Sequence, residues 1–330
     1  MNERRKAAGG VDLSQLTINK ETVKVKKPTN NFKRFLRQWD IQLMVIPALI
    51  VIFIFSYIPM YGVLTAFKNY NIIKGFMDSP WVGFKYFEQF FNSPDFSRVM
   101  RNTVIVSLLK FFIGFPAPIL LALMLNEVRH MFFKRFVQTV SYLPYFLSWV
   151  IVAGFFTSML ATDNGSVNIA LEKANLINEP INFLSVPEYF WTILITANVW
   201  KDIGFASIVY LAAIAGVDPH LYEAAEMDGA SKFKQMFLIT VPSIMPVIII
   251  FMILAMGNLL NAGFEDILLL GVNPLLREVT DVLDTYVYRT GIQNGRYAYA
   301  TAIGLFKAVI SVGMLILANY FARRSGNSLW

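Results

Sequence analysis

The sequence predicts an all-α integral membrane protein with six membrane-crossing helices. Two observations carry that expectation. Of 330 residues, 56% are apolar and only 15% charged, against roughly 25% charged in an average soluble domain. Mean hydropathy is +0.51, and a water-soluble fold, whose outside is mostly polar, has nowhere to put so much apolar surface. The second observation is the spacing of the apolar runs. A spanning helix takes about 20 mainly apolar residues, and six stretches reach that length: 41–67, 102–125, 137–161, 189–215, 243–262 and 300–322.

Residues 1–40 read as a polar cytoplasmic tail, with ten Lys or Arg and no short apolar core that would make a signal peptide. Its last ten residues carry Phe32, Phe35, Leu36 and Trp39 among Lys33, Arg34 and Arg37, the pattern of an amphipathic lead-in on a membrane surface. The six-helix domain then occupies 41–322, and 323–330 forms a short C-terminal tail. With the N-terminus inside, the inner segments hold 17 Lys and Arg and the outer loops 9. The positive-inside rule therefore places both termini in the cytoplasm. The tail decides this, since without it the balance is 7 to 9. Pro47, Pro59, Pro116, Pro118, Pro144 and Pro246 interrupt the apolar runs. Each frees a backbone carbonyl that needs a partner inside the protein or a water-filled path, which suits a transporter better than an anchor.

Several chemistries are excluded. There is no Cys, hence no disulfide framework or thiolate site, and the two His, His130 and His220, are far apart without metal-site spacing. No catalytic residue and no metal ligand is expected. Gly-Lys never occurs as a dipeptide, so the phosphate-cradling GxxxxGK[ST] loop is impossible. The net charge of +7 fits loops facing anionic lipid rather than nucleic acid.

The most informative segment is the cytoplasmic loop 216–242. Asp218 is a good N-cap, Pro219 suits the first helical position, and the residues to Met227 are mostly helix formers. Gly229 is placed to end or bend this helix. A second amphipathic turn with Phe233, Met236 and Phe237 leads to Pro242 at the next span. The loop is thus a helix–Gly–helix elbow whose small Ala224 and Ala225 let another protein approach the backbone closely.

Here the chain resembles the permeases of binding-protein-dependent ABC importers. Their hallmark is Glu-Ala-Ala, three residues, Gly, nine residues, Ile-x-Leu-Pro. This chain has Glu223-Ala224-Ala225, the Asp228-Gly229-Ala230 triplet, Ile239 and Val241-Pro242, with Val241 the only departure. The likeness is strongest to carbohydrate-uptake permeases of the LplB type, through Ser141–Val152, Asn198–Lys201, Leu260–Glu265, Asp284–Arg289 and Leu329-Trp330. It covers most of the chain from about residue 40 onward; the tail is unmatched. The resemblance implies a type I importer permease fold in the cytoplasmic (inner) membrane of a bacterium. It implies a second permease, two ATPase subunits that bind ATP and Mg, an extracytoplasmic solute-binding protein and an oligosaccharide substrate. It assigns coupling to the ATPases to Glu223, Ala224, Ala225, Asp228, Gly229 and Ala230.

An ionisable or amide group at membrane depth needs a partner or water, which makes it a site candidate. The candidates for the substrate path are Asn198, Trp200, Lys201 and Asp202 on the fourth span, Asn258 and Asn261 on the fifth, and Tyr145 and Ser148 on the third. Amides, carboxylates and aromatic faces converging on one cavity fit a sugar. Each also has a structural reading: Lys201 and Asp202 neutralise one another or pair with the partner permease, and Asn258 and Asn261 join helices. Lys110 and Lys307 are expected to snorkel to the surface. Glu265, Asp266, Asp281 and Asp284 are expected to form a solvated acidic face in the last outer loop. Two other classes stand beside the importer subunit. An ion-coupled secondary transporter would use Lys201 and Asp202 as a relay, and a membrane-embedded enzyme would need a constellation that the chain lacks.

Overall fold

A computed structural model describes residues 39–324, 326, 328 and 329. The tail and most of the lead-in lie outside the described residues. Among those described there are helices and two isolated bridges, Lys68–Trp81 and Asn71–Gly75, but no strand. The chain divides into two compact units, Met1–Tyr61 and Gly62–Trp330.

The first span, Gln42–Phe67, begins with helix α1 (Trp39–Ile52) and closes in a 3-10 turn, Tyr61–Phe67. None of the residues in its central window is buried. A short helix α2 (Lys85–Phe91) follows an ordered loop. The second span, Phe96–Glu127, joins α3 (Phe96–Leu109) to α4 (Pro116–Glu127).

The third span differs from the sequence reading. Instead of one helix over 137–161, the chain forms α5 (Met131–Tyr142) with a 3-10 extension to Phe146, then α6 (Trp149–Met159), and the two halves are bent by 107°. Pro144 cannot donate an amide proton to the preceding turn. Leu147 and Ser148 are extended, and Ser148 caps α6 by accepting from the Ile151 amide at 3.5 Å. A small helix α7 (Ser166–Lys173) leads to the fourth span, α8 (Pro187–Ala215). This is the most buried span, 39% of its central window lying inside the chain. It packs on α4 and α5, and Gly204 permits the close approach to α5: a methyl group there would overlap the Ser141 backbone.

The elbow consists of α9 (Pro219–Met227) and α10 (Lys232–Gln235). It runs without a break into α11 (Val241–Gly257), so the fifth span covers Lys232–Gly257. That span ends earlier than expected, and Asn258 and Asn261 lie in the turn beyond it. The sixth span is α15 (Tyr297–Arg324). Between them, α12 (Glu265–Leu270), α13 (Arg277–Thr280) and α14 (Leu283–Tyr288) form no solvated loop. Ile267, Leu270, Leu276 and Val282 are buried in one core with Val106 and Leu194 of the second and fourth spans.

Three helices widen into a π turn: Phe53–Tyr57, Lys110–Gly114 and Met236–Thr240. Each ends two residues before a proline, at Pro59, Pro116 and Pro242. Proline lacks an N–H and its ring crowds the carbonyl one turn back; a wider turn relieves both, and this is the local cause of a π bulge. The fourth π turn, Arg289–Gln293, precedes no proline.

Candidate functional site: the elbow and the polar groups at membrane depth

The elbow is built as its residues dictate. Asp218 is extended and its carboxylate accepts from the His220 amide at 3.0 Å, with Pro219 at the first helical position. At the other end Gly229 has φ +73°. The Ala230 amide donates to the Ala225 carbonyl at 2.9 Å, and that of Gly229 to Glu226 at 3.0 Å. This crossed pair is the Schellman closure, which requires a left-handed residue where Gly229 stands. Glu223, Ala224 and Asp228 are exposed, Ala225 and Ala230 half-buried, and Met227 is 89% exposed. Glu223 also meets the His220 ring at 3.2 Å. Lys232 donates to Glu226 at 2.5 Å and holds that carboxyl below the usual carboxylate range.

The path candidates do not gather in one cavity. Lys201, 7% exposed, donates to the carbonyls of Tyr145 and Leu147 at 2.7 Å each and of Pro144 at 3.4 Å. Its ammonium also lies 5.4 and 5.8 Å from the rings of Tyr145 and Trp149. Its hydrogen bonds go to the carbonyl end of the broken third span, not to Asp202. Tyr145 stacks on Phe205 at 3.9 Å, and Trp200 on Phe155 at 5.6 Å. Ser148 serves as the cap of α6.

Asn198 and Asp202 line a cavity of about 180 Å³ with Lys110, Gly114 and Ile195. Asn198 donates to Leu194 O at 2.8 Å and to Asp266 at 3.0 Å, and Lys110 donates to Asp266 at 2.5 Å. Asp202 is exposed along the face of a membrane span, where lipid is no partner for a carboxylate. Asn258 bonds its own helix at Leu254 O, 3.2 Å away. Asn261 accepts from Lys307 at 3.2 Å, and Lys307 also bonds Asp284.

Two expectations are therefore corrected. Lys110 and Lys307 do not snorkel; each pairs with an aspartate. Asp266, Asp281 and Asp284 are not a solvated face, and only Glu265 remains exposed. Asp281, 1% exposed, is held by Arg289 at 2.6 and 2.8 Å and by Arg98 at 3.0 Å. The missed signal was a matching of charges: a segment with three aspartates stands beside spans carrying Lys110 and Lys307, with Arg98 at the foot of the second span.

The comparisons with known proteins agree with this architecture. Residues 114–327 match the family described as the binding-protein-dependent transport system inner membrane component. The chain belongs to this family. Among its relatives, Protein LplB of Bacillus subtilis is 46% identical over 282 residues, covering 86% of this chain and 88% of LplB. The polygalacturonan/rhamnogalacturonan transport system permease protein YteP, from the same organism, is 43% identical over 293 residues, covering 89% and 90%. A crystal structure of a bacterial ABC transporter involved in the import of the acidic polysaccharide alginate contains a similar chain. The TM-score is 0.82 at 43% identity, over 89% of this chain and 98% of that one. A second structure, in complex with an alginate pentasaccharide-bound periplasmic protein, gives 0.83 at 42% identity, over 90% and 98%. The chain thus has the fold of an ABC importer permease, and it is a transporter subunit like its relatives.

Proposed function

We propose that this chain is one permease subunit of an ATP-driven importer that moves oligosaccharides or polysaccharide fragments across the inner membrane by alternating access. The observation that carries the proposal is the capped, exposed elbow Pro219–Ala230, continuous with the fifth span through Lys232–Gly257. A rigid projection with small residues on its surface suits a groove on an ATPase, and ATP-driven closure of that groove would move the span attached to it. Two ATPase subunits bind ATP and Mg; a second permease and an extracytoplasmic solute-binding protein complete the complex, and both termini lie in the cytoplasm. Asn198, Asp202, Asn258 and Asn261 offer the hydrogen-bonding groups of the sugar path. YteP is a polygalacturonan/rhamnogalacturonan permease and the similar solved chain belongs to an importer of the acidic polysaccharide alginate, so acidic oligosaccharides are the substrates to try first.

The relay reading, a secondary transporter built on Lys201 and Asp202, loses its main support, because the Lys201 protons are held by backbone carbonyls. Affinity purification of the tagged chain from its own bacterium separates the two. Recovery of two ATPases and a second permease, with ATP hydrolysis stimulated by a loaded binding protein, is the expected result. Recovery of the chain alone, with uptake driven by an ion gradient, overturns the proposal.

A further inference from the structure

We infer that Thr240, a buried polar residue at the base of the fifth span, locks α9 to that span through Tyr222 so that the two move as one body. The inference rests on the proposed docking of the elbow to an ATPase, and adds how the motion is passed on.

A helix joined to a span through a left-handed glycine is a hinge unless something else connects them. Asp228–Ser231 form that joint, and Gly229 has open space around its Cα. Two side-chain links cross it. The Tyr222 hydroxyl on α9 meets the Thr240 hydroxyl at 2.9 Å, across 18 residues of sequence. Lys232 reaches Glu226 at 2.5 Å. The Gln235 side-chain amide donates to the Ala230 carbonyl at 3.1 Å and so ends inside the joint. The two crossing links are unequal. Lys232 and Glu226 are 51% and 58% exposed, and such surface pairs contribute little. Thr240 is 1% exposed, so its bond to the half-buried Tyr222 is partly shielded from water, and losing it removes the partner of the Tyr222 hydroxyl.

The placement of Thr240 has a local cause. It is the last residue of the π turn Met236–Thr240 that precedes Pro242. The extra residue in that turn resets which side chains face α9, and Thr240 is the one brought within reach of Tyr222. Beyond it, Ile244 packs in a core with Tyr210 and Ile214 of α8 and Ala122 and Leu123 of α4. A push on α9 that crosses Tyr222–Thr240 therefore arrives where the second, fourth and fifth spans meet. Without that link, rotation at Gly229 absorbs it.

Thr240→Val keeps the shape and removes the hydroxyl; Thr240→Ser keeps the hydroxyl. Both are compared with wild type as the full complex in lipid nanodiscs and proteoliposomes. The measurements are ATPase subunits captured per permease, ATP hydrolysed, and substrate moved per ATP, with an alginate pentasaccharide and a neutral oligosaccharide as probes on the binding protein. The expected result for Thr240→Val is wild-type capture with substrate moved per ATP reduced at least threefold, and restoration by Thr240→Ser. A purely structural role would lower capture and hydrolysis together and leave the ratio unchanged. That outcome, or an unchanged ratio at full activity, overturns the link while leaving elbow docking in place. If the wild-type chain captures no ATPase, the docking reading itself fails and the link falls with it.

Discussion

A lysine in the middle of a membrane helix must give its three protons to acceptors that stay in place. Lys201 gives them to three carbonyls at the end of the first half of the third span. There the helix leaves its last carbonyls without intrahelical partners and carries the negative end of its dipole. The cation therefore stabilises the break and needs no carboxylate. Lys201→Met is expected to lower the thermal midpoint of the purified complex, since each orphaned buried acceptor costs about 1–3 kcal/mol. The ratio of ATPase stimulation by acidic and neutral oligosaccharides should not change, and a selective loss with acidic substrates would return Lys201 to the sugar path. Lys110 and Asp266 behave differently, because here a true ion pair is buried. Lys110→Met alone leaves Asp266 uncompensated, at about 3–5 kcal/mol. The double variant Lys110→Met/Asp266→Asn is expected to recover most of that, as measured by a double-mutant cycle in thermal unfolding. A lysine in an apolar run announces itself in the sequence, and so does its need for a partner. Which partner it finds depends on long-range packing, across 156 residues for Lys110 and about 55 for Lys201, and local pattern has no access to that.

At the scale of the element, the elbow was legible almost to the atom. Its cap, first-turn proline and terminal glycine act within a few residues of each other, so local chemistry settles them. Gly229 then carries a sharper prediction than bulk alone. A Cβ there meets nothing, and the cost of substitution within this chain is the left-handed backbone, about 1–2 kcal/mol for an ordinary residue. Asn tolerates that conformation and Val does not. Gly229→Asn is expected to retain uptake and Gly229→Val to lose it, with both proteins reaching the membrane at wild-type levels. Equal loss in the two variants would mean that contact with a partner, not backbone geometry, selects glycine. Pro59, Pro116 and Pro144 were legible as breakers, though not as π turns or a kink, whereas Pro47, Pro118 and Pro246 sit inside continuous helices. Proline chemistry says that a turn must open, and the packing of the following helix decides whether it opens by a kink, as at Pro144, or by one extra residue, as before Pro116 and Pro242.

For the whole molecule, hydropathy revealed the order of the apolar helices because the bilayer fixes their length; among the described residues five are long enough to cross, and the bent pair 131–159 makes a sixth if it counts as one span. It hid the 107° break and the folding of 263–299 into the core, because an apolar count does not record direction. Orientation is the remaining whole-molecule property, and it turns on the tail. Residues 2–30 carry seven of the ten basic residues before the first span. Deleting them leaves the inner and outer loops nearly balanced, 10 Lys and Arg to 9, so the positive-inside bias almost vanishes. Residues 2–30 also lack an apolar face in their sequence and lie outside the family match at 114–327, which leaves charge as their contribution. The deletion is therefore expected to reduce the fraction of chains inserted with their termini inside, while uptake per correctly inserted chain stays at the wild-type value. The absence of Cys makes the measurement clean, since a single cysteine placed in 216–242 or 162–188 reports sidedness with an impermeant thiol reagent. An unrelated tail of equal length with seven Lys should restore insertion, because the bias responds to charge and not to sequence. A deletion variant that inserts fully and transports nothing would instead make the tail part of the transport cycle, and the charge argument would fail.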